Sequence, residues 1–172
     1  LYDDIARHGG HGVMWKAGHS LLKAKMRETG ALLGGEMSGH IFFKERYFGY
    51  DDAIYSGARL LEILARTGRT VDQLLADLPP SHSTPEIRVD CPDDVKFQVA
   101  ERVRDRFRAE GREMIDVDGV RVRFPLGWGL LRASNTQPVL VMRFEAETPE
   151  ALADYQRTVE KAVAAVRTEL GG

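Results

Sequence analysis

Ala31–Phe43 reads ALLGGEMSGHIFF, two apolar runs held apart by a polar, glycine-punctuated loop. Ala31, Leu32 and Leu33 are expected as a buried strand, and Ile41, Phe42 and Phe43 as a second apolar run. Between them, Gly34-Gly35-Glu36-Met37-Ser38-Gly39-His40 brings a carboxylate, a hydroxyl and an imidazole together, and its glycines allow a ligand close to the backbone. Binding residues concentrate on loops that a rigid scaffold holds in place. An acceptor such as Glu36 beside donors such as Ser38 and His40 suits a polyhydroxylated ligand.

Working outward, Leu1 to His8 reads as the end of a helix stopped by Gly9-Gly10, so the chain starts inside an element and reads as a piece of something larger. Gly12 to Lys16 (GVMWK) predicts a short buried strand. His19 to Thr29 places Leu22 and Met26, with nearby Leu21, on one face and Lys23, Lys25 and Arg27 elsewhere, the pattern of an amphipathic helix ended by Gly30. After the second apolar run, Asp51-Asp52 supplies an acidic helix start. Ile54, Ala58, Leu61 and Ala65 continue that helix to Gly68, and a short one follows from Val71 to Leu78. This rhythm belongs to an α/β layer.

Composition changes at Leu78 to Pro85 (LPPSHSTP), the best linker candidate. Beyond it the spacing predicts a strand at Ile87 to Asp90 and a charged helix over Asp93 to Ala109 with Val95, Val99, Val103 and Phe107 inward. Met114 to Val117 and Val120 to Phe124 alternate around Asp118-Gly119, a hairpin signal. Trp128 to Arg132 and Val139 to Phe144 are two more strands, and Thr148 to Leu170 is a closing helix with Pro149 near its first turn. Residues 1–78 and 87–172 therefore form two units joined by a hinge linker at 79–86. The second is expected as a small antiparallel sheet backed by two helices.

The chain has 172 residues, 43% hydrophobic and 29% charged, with a formal net charge of −2, so it carries no global field for nucleic acid or an anionic membrane. Cys91 is the lone cysteine, which excludes an intrachain disulfide and fits a reducing, cytoplasmic setting. No apolar run approaches the roughly 20 residues of a membrane span.

A second polar loop lies between the last two strands, Arg132-Ala133-Ser134-Asn135-Thr136-Gln137-Pro138 (RASNTQP). Arginine offers a planar fork that matches two phosphate oxygens, and hydroxyl and amide donors can complete the shell. Backbone N–H groups of such a turn can add an anion nest, and Arg143 on the next strand adds charge. By residue type alone, a polar connection closed by its own Asn and Ser is the better account of it.

Across VMWKAGHS, GALLGGEMSGHIFFKERYFGYDDAIYSGARLLEIL and DGVRVRFPLGWGLLRASNTQPVLVMRFEA, the chain resembles the α-D-phosphohexomutases, most of all the bacterial phosphomannomutase/phosphoglucomutase branch. The resemblance spans nearly the whole chain and implies the C-terminal part of such an enzyme: most of its third, mixed-sheet α/β/α domain and all of its fourth. The fourth would be a small α+β domain with a four-stranded antiparallel sheet and two helices, similar to the TATA-binding-protein fold. It implies sugar binding by His19, Glu36, Ser38 and His40. It also implies that Arg132, Ala133, Ser134, Asn135 and Thr136 form the loop that holds the non-reacting phosphate. Met37 matches the mannose/glucose branch, since glucosamine mutases usually carry Gln there.

The implied activity interconverts mannose or glucose 6-phosphate and 1-phosphate through a bisphosphorylated sugar and an enzyme phosphoserine. It implies Mg²⁺, hexose 1,6-bisphosphate as activator and intermediate, and a cytoplasmic monomer. The phosphoserine loop (TASHNP-like) and metal loop (DGDGD-like) are not in this sequence, so catalysis needs the missing N-terminal domains and the chain alone is expected to be inactive. Asp116-Val117-Asp118-Gly119 is assigned to hairpin chemistry instead. The alternative is a stand-alone phosphosugar-binding module. His8-Gly9-Gly10-His11 has a metal-like spacing but no carboxylate or thiol beside it, and reads as a solvated helix end. Arg102, Arg104, Arg106, Arg108 and Arg112 alternate with Glu101, Asp105, Glu110 and Glu113, which predicts a salt-bridged, solvent-facing helix rather than a nucleic-acid surface.

Overall fold

The computed structural model describes residues 1–171, which form two compact units divided between Leu78 and Pro79. The first contains α1 (Tyr2–Arg7), α2 (His19–Thr29), β1 (Leu33–Gly35), β2 (Ile41–Phe43), α3 (Ala53–Thr67) and α4 (Val71–Leu75). β1 and β2 are an antiparallel hairpin with Leu33 opposite Phe43 and Gly35 opposite Ile41. Met26 of α2 and Phe42 are its buried side chains. Glu36 N–H donates to the His40 carbonyl and Gly39 N–H to the Glu36 carbonyl, so Met37, Ser38 and Gly39 make a tight loop. Gly39 closes it at φ +94°, a region that side-chain-bearing residues rarely enter.

Three expectations for this unit change. Residues 12–16 form no strand, because a strand is defined by its ladder and no described strand pairs with them. β1 starts at Leu33, and Leu32 and Leu33 are exposed rather than buried. The helical stripe of α3 also faces solvent, with Ile54 89% and Leu61 67% exposed. Its other face makes the contacts. Tyr55 stacks on Tyr47 at 3.8 Å, and the Arg59 guanidinium lies 4.7 Å over Phe43. Arg46 forks onto Glu62 at 3.0 and 2.7 Å. Rings and ion pairs, not an aliphatic stripe, attach α3 to the hairpin. Asp52 caps α3 by accepting Tyr55 N–H at 2.8 Å, and Tyr47 hydroxyl donates to its other oxygen at 2.5 Å.

The second unit contains β3 (His82–Ser83), β4 (Ile87–Asp90), α5 (Lys96–Ala109), β5 (Met114–Ile115), β6 (Val120–Phe124), β7 (Gly127–Ala133), β8 (Val139–Ala146) and α6 (Pro149–Glu169). β4, β8, β7 and β6 form the four-stranded antiparallel sheet, joined by β5 beside β6, shorter than the expected Met114–Val117, and by the unexpected β3 beside β8. Part of the proline-rich stretch is thus in the sheet, where His82 pairs with Ala146. Val99, Val103 and Phe107 of α5 and Val159, Val163 and Val166 of α6 are buried with Val122, Leu131, Leu140, Met142 and Phe144 in one core. Truncating such a side chain costs about 2–5 kcal/mol. Thr148 caps α6 and Pro149 opens it, as the sequence predicts. On α5, Arg104 and Arg108 pair with Asp105, Arg106 pairs with Glu169, and Arg112 just beyond pairs with Glu110.

The β5–β6 hairpin pairs Ile115 with Arg121, so its connection is longer than a two-residue Asp-Gly turn. Gly119 sits at φ +75°, and a Cβ there would lie 2.3 Å from the Leu131 carbonyl oxygen and 2.6 Å from Arg132 Cβ.

Gly119→Ala therefore combines conformational strain with overlap and should destabilise the second unit by about 2–4 kcal/mol. Gly39→Ala, with nothing within 4 Å of its added methyl, should cost only the conformational ~1–2 kcal/mol. Urea unfolding of the two variants checks this, and equal losses would contradict it. Acid should act on the units in a set order. Tyr47 holds the Asp52 carboxyl, and Arg46 the Glu62 carboxyl, below the usual carboxylate range. Stability from lowered carboxylates is complete above about pH 5 and is lost as pH falls through their lowered values. Amide NMR signals of the first unit should disappear before those of the second on acidification, and the reverse order would refute this assignment.

Candidate functional site

In the first unit the loop between β1 and β2 is held at two helix starts. Glu36 Oε1 accepts Gly18 N–H at 2.6 Å, and Gly18 is the N-cap of α2. The carboxylate thus sits where the helix dipole favours negative charge, with its second oxygen left to face a ligand. His19, the first residue of α2, meets His40 edge-on with ring centroids 4.5 Å apart and also touches Phe42. His40 Nδ1 lies 2.6 Å from Asp51 Oδ2, and Asp51 Oδ1 accepts Ile41 N–H at 3.2 Å. The hydrogen bond from His40 is the largest influence holding the Asp51 carboxyl below its usual range. It places the proton on Nδ1 and leaves Nε2 as a free acceptor or ligand. Met37 and Ser38 form the exposed tip. His19, Glu36 and His40 are brought together, with Ser38 beside them in the same loop.

The expected phosphate loop joins β7 to β8 in the second unit. Ser134 is buried, and its hydroxyl accepts the N–H groups of Thr136 at 3.3 Å and Gln137 at 3.2 Å. Ser134 N–H donates to the Val139 carbonyl. These three N–H groups are directed inward, so the anion nest expected from the sequence is not formed by them. Ala133 is buried as the last strand residue, while Asn135 and Thr136 are exposed. Arg132 Nη1 lies 3.4 Å from Asp118 Oδ2, a loose pair. Such a part-exposed contact is worth little and can be exchanged for a phosphate.

Several contributors were not legible from the sequence. Asp51 was assigned with Asp52 to a helix start, yet only Asp52 caps, and Asp51 orients His40. The available signal was a second acid where one cap suffices. Lys96 is buried, and its ammonium spans Asp93 at 2.5 Å and the Gln137 carbonyl at 2.9 Å, which ties α5 to the phosphate loop. Strand register also places Arg121, Arg132 and Arg143 on the sheet face opposite the helices, with Leu130 opposite Arg121 in β6 and Arg143 in β8. Arg121 stacks over Trp128 at 4.2 Å.

Magnesium, implied by the resemblance, does not fit the acidic residues of the β5–β6 hairpin. Asp116 pairs with Arg108 at 2.5 Å and Asp118 with Arg132. Carboxylates already neutralised by guanidinium groups make a poor hard-cation site.

Family models described as "Phosphoglucomutase/phosphomannomutase, alpha/beta/alpha domain III" and "Phosphoglucomutase/phosphomannomutase, C-terminal domain" match residues 1–82 and 86–162. A phosphomannomutase/phosphoglucomutase of Pseudomonas aeruginosa is 53% identical over 167 residues, covering 96% of this chain and 36% of that protein. A phosphoglucomutase of Neisseria gonorrhoeae is 51% identical over 154 residues, covering 88% and 33%. The crystal structure of a phosphoglucomutase/phosphomannomutase family protein from Burkholderia thailandensis superposes with a TM-score of 0.83 at 48% identity, over 96% of this chain and 35% of that one. The chain spans about a third of the length of these relatives. Matched along both of its units by consecutive domain models, it belongs to the phosphoglucomutase/phosphomannomutase family.

Proposed function

We propose that this chain is the substrate-recognition part of a hexose phosphomutase that interconverts mannose or glucose 6-phosphate and 1-phosphate. The observation that carries this reading is the convergence of Glu36, His19 and His40 at the start of α2, in a chain whose relatives are phosphomannomutases and phosphoglucomutases. Glu36 accepts from sugar hydroxyls through its free oxygen, Ser38 donates from the loop tip, and the imidazoles supply further polar contacts. The short bonds to Gly18 and Asp51 fix these groups before a ligand arrives, which limits the ordering cost of binding.

Arg132, Asn135 and Thr136 hold the phosphate that does not react, within a loop shaped by Ser134 and Lys96. Each charge-assisted hydrogen bond contributes about 1.5–3 kcal/mol. Binding energy collected at that phosphate orients the distant, reacting end. The phosphoryl group itself passes through a phosphoserine and a bisphosphorylated sugar, with magnesium supplied by other domains of the same polypeptide.

In the enzyme carrying this chain, Arg132→Ala should raise KM for glucose 1-phosphate by roughly 10–100-fold, the equivalent of one lost charge-assisted contact. Glu36→Gln keeps the shape and removes the charge, and it should weaken the hexose phosphate without affecting inorganic phosphate. Steady-state kinetics and calorimetric titration check both. An unchanged KM in Arg132→Ala removes the phosphate assignment, and unchanged hexose phosphate affinity in Glu36→Gln removes the sugar assignment.

A further inference from the structure

We propose that the loop between β1 and β2 also forms a binding site for a borderline transition-metal cation such as Zn²⁺, with His19, Glu36 and His40 as ligands. One ligand atom from each of these residues lies within 4.8 Å of the others, and theirs is the one such grouping among the described residues. Tetrahedral Zn²⁺ with bonds near 2.1 Å separates neighbouring ligand atoms by about 3.4 Å. The remaining contraction falls on side chains free to make it. His19 is exposed, so its imidazole can rotate toward Glu36 and His40, which need only small shifts that keep their bonds to Gly18 and Asp51.

The donor set decides which cation fits. Two imidazoles and one carboxylate, with a fourth position left for water, are the ligands of zinc sites that have three protein ligands, whereas Mg²⁺ and Ca²⁺ take oxygen. The support behind the ligands is of the same kind. Metal-binding histidines ordinarily donate their second nitrogen to a carboxylate, which fixes the ring and its tautomer. His40 already has that arrangement, with Nδ1 on Asp51 at 2.6 Å and Nε2 available. Glu36 is fixed through Oε1 on Gly18 N–H, which leaves Oε2 for the ion. His8 and His11 lack this context, and His8 Nδ1 is bonded to the Asp4 carbonyl.

A cation here occupies the groups assigned above to the sugar. On that reading, zinc and hexose phosphate exclude one another, so the ion acts as an inhibitor of recognition. The cation site itself does not depend on that reading.

The test is calorimetric titration of the metal-free chain with Zn²⁺, with no sugar present, together with visible absorption of the Co²⁺ form. One Zn²⁺ per chain and an intense, four-coordinate Co²⁺ spectrum are expected. His19→Gln and His40→Gln should abolish both signals, while His8→Ala leaves them unchanged. Asp51→Asn, which retains a hydrogen-bonding group beside His40, should weaken Zn²⁺ by about 10–100-fold. Far-UV circular dichroism of each variant verifies the fold. Absence of binding, a pale six-coordinate Co²⁺ spectrum, or binding that persists in folded His19→Gln and His40→Gln overturns the proposal. Because no hexose phosphate enters the titration, its failure leaves the sugar assignment intact.

Discussion

The hydrogen bond between Glu36 and the Gly18 N–H is the constraint on which the first unit's chemistry depends. A hairpin of three-residue strands has little intrinsic stability, and an isolated two-stranded ribbon is marginal in water. Here one side of its loop is fastened to the N-cap of α2 through Glu36, and the other to the start of α3 through His40 and Asp51. The two fastenings act at helix starts, where unsatisfied N–H groups and the dipole favour carboxylates. The groups proposed for recognition and the structural ties are consequently the same residues. A substitution at Glu36 or His40 alters loop position as well as ligand contact, and isosteric variants separate the two effects better than alanine does.

The second unit shows how far local pattern determines structure. Alternation in β6, the Thr148-Pro149 start of α6 and the Val99/Val103/Phe107 stripe all appear where the sequence places them. Each is a case where propensity, period and burial agree. The first unit was less legible because its strands are short and its helix contacts are not aliphatic. In α3 the residues that touch the hairpin are Tyr55, Arg59 and Glu62, types that a hydrophobic-period reading assigns to solvent. At GVMWK, an apolar run shows that a segment favours burial but cannot supply the neighbouring strand that a ladder requires.

For the candidate site, residue type and spacing drew attention to both polar loops, in which Glu36, Ser38 and His40 lie within a few residues of one another, as do Arg132 and Asn135, while the roles expected of them came from the family resemblance. What escaped depends on distance through space. Asp51 reaches His40 across 11 positions, Gly18 reaches Glu36 across 18, and Lys96 reaches Gln137 across 41. No local pattern encodes such partners. The shared face of Arg121, Arg132 and Arg143 depends equally on strand register, which the sequence implies only once the pairing is known.

The inward direction of the N–H groups in the β7–β8 loop bears on which donors the loop can offer a ligand. A backbone nest binds any small anion of suitable size, because its donors carry no side-chain identity. In RASNTQP the N–H groups of Ser134, Thr136 and Gln137 are spent on the loop's own shape, and Lys96 is spent on the Gln137 carbonyl. The donors left to a ligand are mostly side chains: the Arg132 fork, the Asn135 amide and the Thr136 hydroxyl, with the Asn135 N–H beside them. A fork and two directional donors select geometry as well as charge. On the function proposed above, they would favour a tetrahedral group approaching from one direction, as a phosphate on a tethered sugar does, over a freely tumbling anion.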